Sequence, residues 1–456
     1  MHSPGRHGRR PMSGRYLSIV AAIASTLFGL GSGPACPAAA AAARGPGSQK
    51  LSEPAPQPAQ ESKRIAKQVR GQLRASGRWL VYPDGSRFRW RGVTGFMLNE
   101  QVSSGRHAEA AAFLEWANRT GFNVVRVLVM LPKGWFTDKD FTPEEGLAAL
   151  SQTLALARGA DMYVEATVLA NTASLPAKVD FASYVERAGR ICAVAGNCAL
   201  VEVANEFFHQ TQRADVHDPA TLASWARRVP GGIPTAVGAP PDERATLVAS
   251  TPVITIHLDR SGGRWNRLRR VSELGTLSTD TNRFVIDNEP MGADEVERPG
   301  TRDNLPDVFF AQGALSRVFE VGSNFHFEDG LRAKVPGPIQ QRCADAFIAG
   351  TRIVNDSYML TFQNAGWPYS PVRSVRRPEG TTPTARDGRA QPGPEPVVAA
   401  YAGLTQVFPK SAEPSSVLLL IGVEGEPGIE WRAPWRKTGV IADLPNVKVW
   451  SIGRTQ

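Results

Sequence analysis

The chain has 456 residues, 42% of them hydrophobic and 21% charged, a length and composition suited to about two domains or one large barrel with an accessory piece. The formal charge is +9, but Arg6, Arg9, Arg10, Arg15 and Arg44 lie in the first 45 residues without an acid, which leaves +4 for the remainder. That balance, without a basic stripe interleaved with aromatics, argues against nucleic acid as a partner. Four Cys and seven His at no metal-ligand spacing argue against a zinc site.

The first segment, 1–45, runs from basic to apolar (16–30) to small residues, the order of a secretory signal peptide and its processing region. The apolar run is shorter than the roughly 20 residues a membrane span needs, and no later segment reaches that length. The chain is therefore expected to be secreted or periplasmic. A lipid anchor on Cys36 is the weaker reading, because Gly33-Pro34-Ala35 fits a lipidation site poorly. Residues 46–76, rich in Pro, Gln, Ala and Ser and then in mixed charges, read as a disordered tether.

Order is expected from Gly77, where "GRWLVYPDGSRFRWRG" gives two strand-like runs around the turn Pro83-Asp84-Gly85. Apolar strand-like runs then alternate with helical patterns. The first run is 88–96, followed by a helix over 107–120 that Gly121 ends. The second is 123–130; Thr142-Pro143-Glu144-Glu145 then opens a helix with a capping box and Pro in its first turn. The third is 162–169, with a helix over 180–193. The fourth is 199–204, with a helix capped by Asp218. The fifth and sixth lie in 233–239 and 251–258, the seventh in 282–288 and the eighth in 323–327, with helices at 265–274, 305–321 and 337–354. Eight continuous apolar strands with helical crossovers predict a (β/α)8 TIM barrel over 77–355. A doubly wound open sheet would want a Gly-rich phosphate turn after its first strand, and "RGVTGFMLNEQ" is not one. Residues 356–396 read as loop, and 397–456 as a small antiparallel β domain. Cys192 and Cys198 bracket the short loop "AVAGN" and are expected to form a disulfide in an exported protein.

Barrel sites form at the C-terminal ends of the strands. Two of those ends deliver an acid in the same context: Asn205-Glu206 after strand four and Asn288-Glu289 after strand seven. The dipeptide alone is cheap, since Asn99-Glu100 repeats it. Position gives it meaning, because strands four and seven face each other across the mouth. One carboxyl group can protonate a leaving group while the other attacks.

This pattern resembles glycoside hydrolase clan A, near the cellulase-like family 5 enzymes, over the barrel region. The resemblance implies a retaining mechanism with Glu206 as acid/base and Glu289 as nucleophile, their carboxyl groups about 5–5.5 Å apart. It implies that Asn205 hydrogen-bonds the sugar 2-hydroxyl, that Arg126 in "VVRVLV" sits beside the nucleophile and keeps it ionised, and that His257 lines the site. It implies an oligo- or polysaccharide substrate, no cofactor and a monomer. The chain departs from the family pattern at three places: Asp259 stands where a Tyr is usual, the strand-three His is missing with Asn171 nearby, and strand eight reads "NFHFEDG" in place of a Trp. Phe325 or His326 would then meet the sugar face, with Trp135 and Trp265 as further platforms. The departures keep open a second class, a non-catalytic carbohydrate-binding barrel. A serine hydrolase stands further back, since no Gly-x-Ser-x-Gly occurs.

Overall fold

The computed structural model describes residues 69–130, 141–175, 178–238, 251–258, 264–291 and 305–353, and the strands between 358 and 454. The expected leader, Cys36 and most of the tether lie in residues 1–68, outside the described residues. No described helix is long and apolar enough to cross a membrane.

Eight parallel strands form the barrel: β1 Gly92–Thr94, β2 Val124–Leu128, β3 Tyr163–Leu169, β4 Cys198–Ala204, β5 Thr235–Ala236, β6 Val253–Ile256, β7 Phe284–Asp287 and β8 Gly322–Phe325. Their order is β5-β4-β3-β2-β1-β8-β7-β6, every bonded pair parallel. Helices fill the crossovers: α1 His107–Thr120, α2 Pro143–Gly159, α3 Phe181–Ala195, α4 Pro219–Ala226, α5 Arg264–Thr281, α6 Leu305–Phe319 and α7 Pro338–Thr351. The crossover between β5 and β6 lies largely outside the described residues. The predicted (β/α)8 barrel is the observed fold.

Local chemistry sets the helix ends. Thr142 accepts from the Glu145 amide while the Glu145 carboxylate accepts from the Thr142 amide, the expected capping box. Asp180 and Asp218 cap α3 and α4. α1 stops at Gly121, whose φ of 115° is open to glycine at little cost.

The ordered chain begins earlier than expected. Val69 and Leu73 are buried, and Arg74–Ser76 pairs with Trp79–Val81 in a hairpin, so the tether ends before residue 76. Leu73, Leu80, Tyr82 and Phe88 pack with Val124, Tyr163, Leu200 and Phe284, which plugs the N-terminal end of the barrel. Residues 356–396 also depart from the expected loop: Tyr358–Leu360 and Val372–Arg376 are strands. The C-terminal region is antiparallel as predicted, with a four-stranded sheet in the order Val397–Ala402, Val417–Gly422, Val447–Arg454, Trp435–Asp443. Val447 and Val449 share one hydrophobic cluster with the helices around the barrel.

The expected disulfide is absent. Cys192 and Cys198 are buried free thiols. Burial pushes the Cys192 thiol well up, and its hydrogen bond and contact with Cys198 push it further; the Cys198 thiol donates to the Leu200 carbonyl. Both sulfurs serve as small core groups at the α3–β4 contact.

Gly92 shows how tightly the barrel is closed. A Cβ there would stand 1.6 Å from Asn324 Oδ1 and 2.6 Å from Trp90 Nε1, the two groups that hydrogen-bond at 2.8 Å between the start of β1 and β8. Gly92→Ala is expected to cost about 1–3 kcal/mol by overpacking, read as a lowered Tm against wild type at matched buffer.

Candidate active site

Side chains alternate along a strand, so each barrel strand sends every second residue inward. Above the apolar plug, those inward positions are polar. β2 gives Arg126, β3 gives Glu165 and Thr167, β4 gives Glu202, and β7 and β8 lead to Asn288 and Asn324; all are buried. Each acid sits inside an otherwise apolar strand, "YVEATVL" and "CALVEVA".

Arg126 is the hub. Its guanidinium donates to Glu289 Oε1 at 2.7 Å, to Glu202 Oε2 and Asn205 Oδ1 at 2.8 Å each, and to Thr167 Oγ1 at 3.2 Å; Glu165 Oε1 stands 3.6 Å away. Burial opposes the guanidinium charge most strongly, but Glu202, then Glu289 and Glu165, outweigh it and raise its pKa. Thr167 donates to Glu202 at 2.6 Å and Asn288 donates to the other Glu202 oxygen at 2.9 Å. Asn324 donates to Glu165 at 3.0 Å and to Asn288 at 3.2 Å. This set ties β2, β3, β4, β7 and β8 together through side chains.

Glu206 and Glu289 stand on the rim above this layer. Glu289 has a side-chain exposure of 8%, Glu206 of 30%. Glu206 has φ 41°, a left-handed backbone that a non-glycine residue adopts at a cost of order 1–3 kcal/mol. The loop behind it is pinned, since Gln212 donates to the Asn205 carbonyl and accepts from Thr172 Oγ1 at 2.8 Å. His257 lies between the two acids, Nδ1 3.3 Å from Glu206 Oε1 and Nε2 3.8 Å from Glu289 Oε1. One oxygen of each carboxylate and one His257 nitrogen all fall within 4.8 Å of one another. Burial pushes the His257 imidazole down, but Glu289, and then the hydrogen bond and charge of Glu206, more than offset it. With a smaller opposing effect of Arg126, the pKa ends raised. His326 completes the set, with Nε2 3.9 Å from Glu289 Oε2 and Nδ1 2.9 Å from Thr94 Oγ1.

The structure therefore gathers Glu206, Glu289, Arg126, Asn205, His257 and His326. It does not bring Phe325 to them. Phe325 is fully buried and faces the helix layer, stacked on Phe122 and Phe327 and edge-on to Phe309. Adjacent residues of one strand point to opposite sides, so with His326 at the mouth Phe325 belongs outside. Trp135, Asp259 and the side chain of Trp265 lie outside the described residues. Asn99-Glu100 is a structural look-alike: Asn99 is buried in the short helix Leu98–Ser103 and donates to the Val129 and Gly146 carbonyls, while Glu100 pairs with Arg106 at 3.4 Å. Sequence reasoning missed Glu202 and Asn324, and gave Asn288 no role beyond its place beside Glu289. Acids inside apolar barrel strands were the available signal.

No protein-family model matches the sequence, and no curated protein does. Solved structures do. One described as a glycoside hydrolase aligns with a TM-score of 0.54 at 12% identity, over 85% of this chain and 98% of its own. A putative glycoside hydrolase from Bacteroides vulgatus aligns at 0.50 and 12%, over 86% and 84%. A glycoside hydrolase family 5 protein from the same organism aligns at 0.49 and 14%, over 85% and 94%. At these identities the likeness to the first two establishes the (β/α)8 fold.

Glu165 titrates where it can be measured. Burial pushes its carboxyl up to about 7, with Arg126 opposing and Glu202 adding to the rise. The folded protein thus keeps a proton that the unfolded chain, ionising from 4.5, has already released. The group subtracts stability as pH rises from about 4.5 to about 7, and the loss is complete above that. Glu165→Gln, which keeps an acceptor for Asn324, is expected to have a Tm that gains on wild type between pH 5 and pH 8. A wild-type minus variant difference that stays flat with pH would contradict this account.

Proposed function

We propose that this protein is a secreted retaining glycoside hydrolase acting on a β-linked glycan. Glu206 is the acid/base and Glu289 the nucleophile. The observation that carries the reading is the separation of these acids, which face each other from β4 and β7 with oxygens within 4.8 Å. That is close to the roughly 5–5.5 Å of retaining enzymes and well short of the roughly 6.5–9.5 Å that an inverting water needs.

In the first step Glu289 Oε attacks the anomeric carbon while Glu206 gives its proton to the glycosidic oxygen. The C1–O bond breaks, the shortened glycan leaves and a glycosyl ester remains on Glu289. In the second step Glu206 takes a proton from water, the water oxygen attacks C1, and the ester bond breaks to restore both carboxyl groups. Arg126, 2.7 Å from Glu289 Oε1, favours the charged nucleophile and fixes its direction. Arg126 also occupies Asn205 Oδ1, so the Asn205 amide nitrogen is the group that meets the sugar 2-hydroxyl. His257 lies between the acids, and their charges hold it toward its protonated form against the opposing effect of burial. Structural neighbours include glycoside hydrolases, which supports the reaction class, and the basic, apolar, small-residue order of 1–45 supports export.

Glu206→Gln and Glu289→Gln are each expected to lower kcat on aryl β-glucosides or β-mannosides by at least about a hundredfold, with unchanged circular dichroism. Full turnover in either variant would overturn the assignment. A wild-type protein that binds glycans but cleaves none would place it among non-catalytic binding barrels.

A further inference from the structure

At the opposite end of the barrel, where β1, β7 and β8 begin, the core is not filled. A cavity of about 340 Å³ opens beside the hairpin, a volume within the range of small-molecule pockets. Its floor is aromatic. Phe88, Trp90 and Phe284 line it, buried and packed ring against ring. Its polar wall is cationic: Arg89, Arg91, Arg317 and Arg352 line the cavity, and Glu320 is the one acid among the described residues that line it.

The surroundings organise those cations. Arg89 donates to Glu320 Oε1 at 3.1 Å, and Arg87 and Arg78 approach the same carboxylate at 3.5 and 3.7 Å. Arg87 also stacks at 3.7 Å over the ring of Trp79, which lines the cavity edge. Glu320 is placed at a cost. Its side chain is 1% exposed, and its backbone takes φ 56° just past the end of α6, where glycine is the usual residue. Arg317, one helical turn before it, is 8% exposed. Arg78, Arg87 and Arg89 gather around the Glu320 carboxylate, and Arg91, Arg317 and Arg352 join Arg89 along the wall beside the aromatic floor. Planar, preoriented guanidiniums recognise oxyanions bidentately.

We propose that this cavity is a second binding site, for a compact organic anion. Its phosphate, sulfate or carboxylate meets the Arg89, Arg91, Arg317 and Arg352 side, and its ring or hydrocarbon body lies on Trp90, Phe88 and Phe284. The site is separate from the mouth and does not depend on the glycosidase reading, because none of its residues follows a C-terminal strand end.

The full chain can be titrated with phenyl phosphate and followed by calorimetry and tryptophan fluorescence, since Trp79 and Trp90 line the cavity. Saturable binding is expected, weakened about tenfold in Arg317→Gln and in Arg352→Glu, the loss of one charge-assisted contact. Inorganic phosphate and benzyl alcohol, each matching one half of the cavity, are expected to bind at least about tenfold more weakly. Arg352 is exposed on the rim, so its substitution tests the site without disturbing the core. Glu289→Gln, at the other end of the barrel, is expected to keep the affinity. No saturable binding, an affinity unchanged in both arginine variants, or an affinity lost in Glu289→Gln would each overturn the proposal.

Discussion

A guanidinium with no access to water cannot shed its charge, and everything near Arg126 answers to that fact. Its five N–H groups need acceptors inside the barrel, and the barrel supplies them from four other residues on three strands or strand ends: Thr167, Glu202, Asn205 and Glu289. The constraint runs both ways. Glu202 is equally buried, and its two oxygens are held by Arg126 and Thr167 on one side and by Asn288 on the other. Removing any member leaves a charge or a donor stranded in a medium of low polarizability, so the set is satisfied as a whole or costly as a whole. The rim residues Asn205 and Glu289 are the upper edge of this network. Their side chains are held by the core, and Gln212 of the following loop holds the Asn205 carbonyl.

That arrangement separates two demands on one barrel. Stability comes from the apolar plug of Leu73, Leu80, Phe88, Tyr163 and their neighbours, and from the helix layer outside. Geometry at the mouth comes from the polar layer between plug and rim. The hairpin before β1 matters more than its length suggests, since it closes the end that the strands leave open. The cavity lined by Trp79 and Glu320 lies just beside that closure, where packing gives way to charge.

Much of the fold was legible because each element obeys a local rule. Thr142-Pro143-Glu144-Glu145, Asp180, Asp218 and Gly121 fix helix ends by chemistry confined to a few residues. The parallel strands read as apolar runs because both faces are covered. The candidate pair Glu206 and Glu289 was legible from strand rank, which no single dipeptide carries: Asn99-Glu100 has the same letters and serves as a tie between helices. What was not legible depends on the third dimension. Phe325 and His326 differ only in parity along β8, and a shift of one residue exchanges wall for mouth. Cys192 and Cys198 are close in sequence and touch in space, yet they remain thiols in the core. Glu202 and Asn324 acquire meaning only once the sheet closes and brings β4 and β8 to a common axis.

The charges at the mouth carry one further consequence for the proposed double displacement. Arg126 supplies a positive charge beneath the rim, and Glu289 and Glu206 hold His257 toward its charged form against the opposing effect of burial. Glu165 is held toward its neutral form by burial. The proton of the proposed general acid then has two candidate places. Placing that proton on Glu206 leaves Glu289 ionised against Arg126 at 2.7 Å, which is the state a nucleophile facing a general acid requires. Placing it on Glu289 would leave Arg126 with a weaker partner at its shortest contact, inside a barrel where that contact cannot be replaced by water. In the proposed reaction, the buried arginine is thus what favours Glu289 as the attacking carboxylate and Glu206 as the donor.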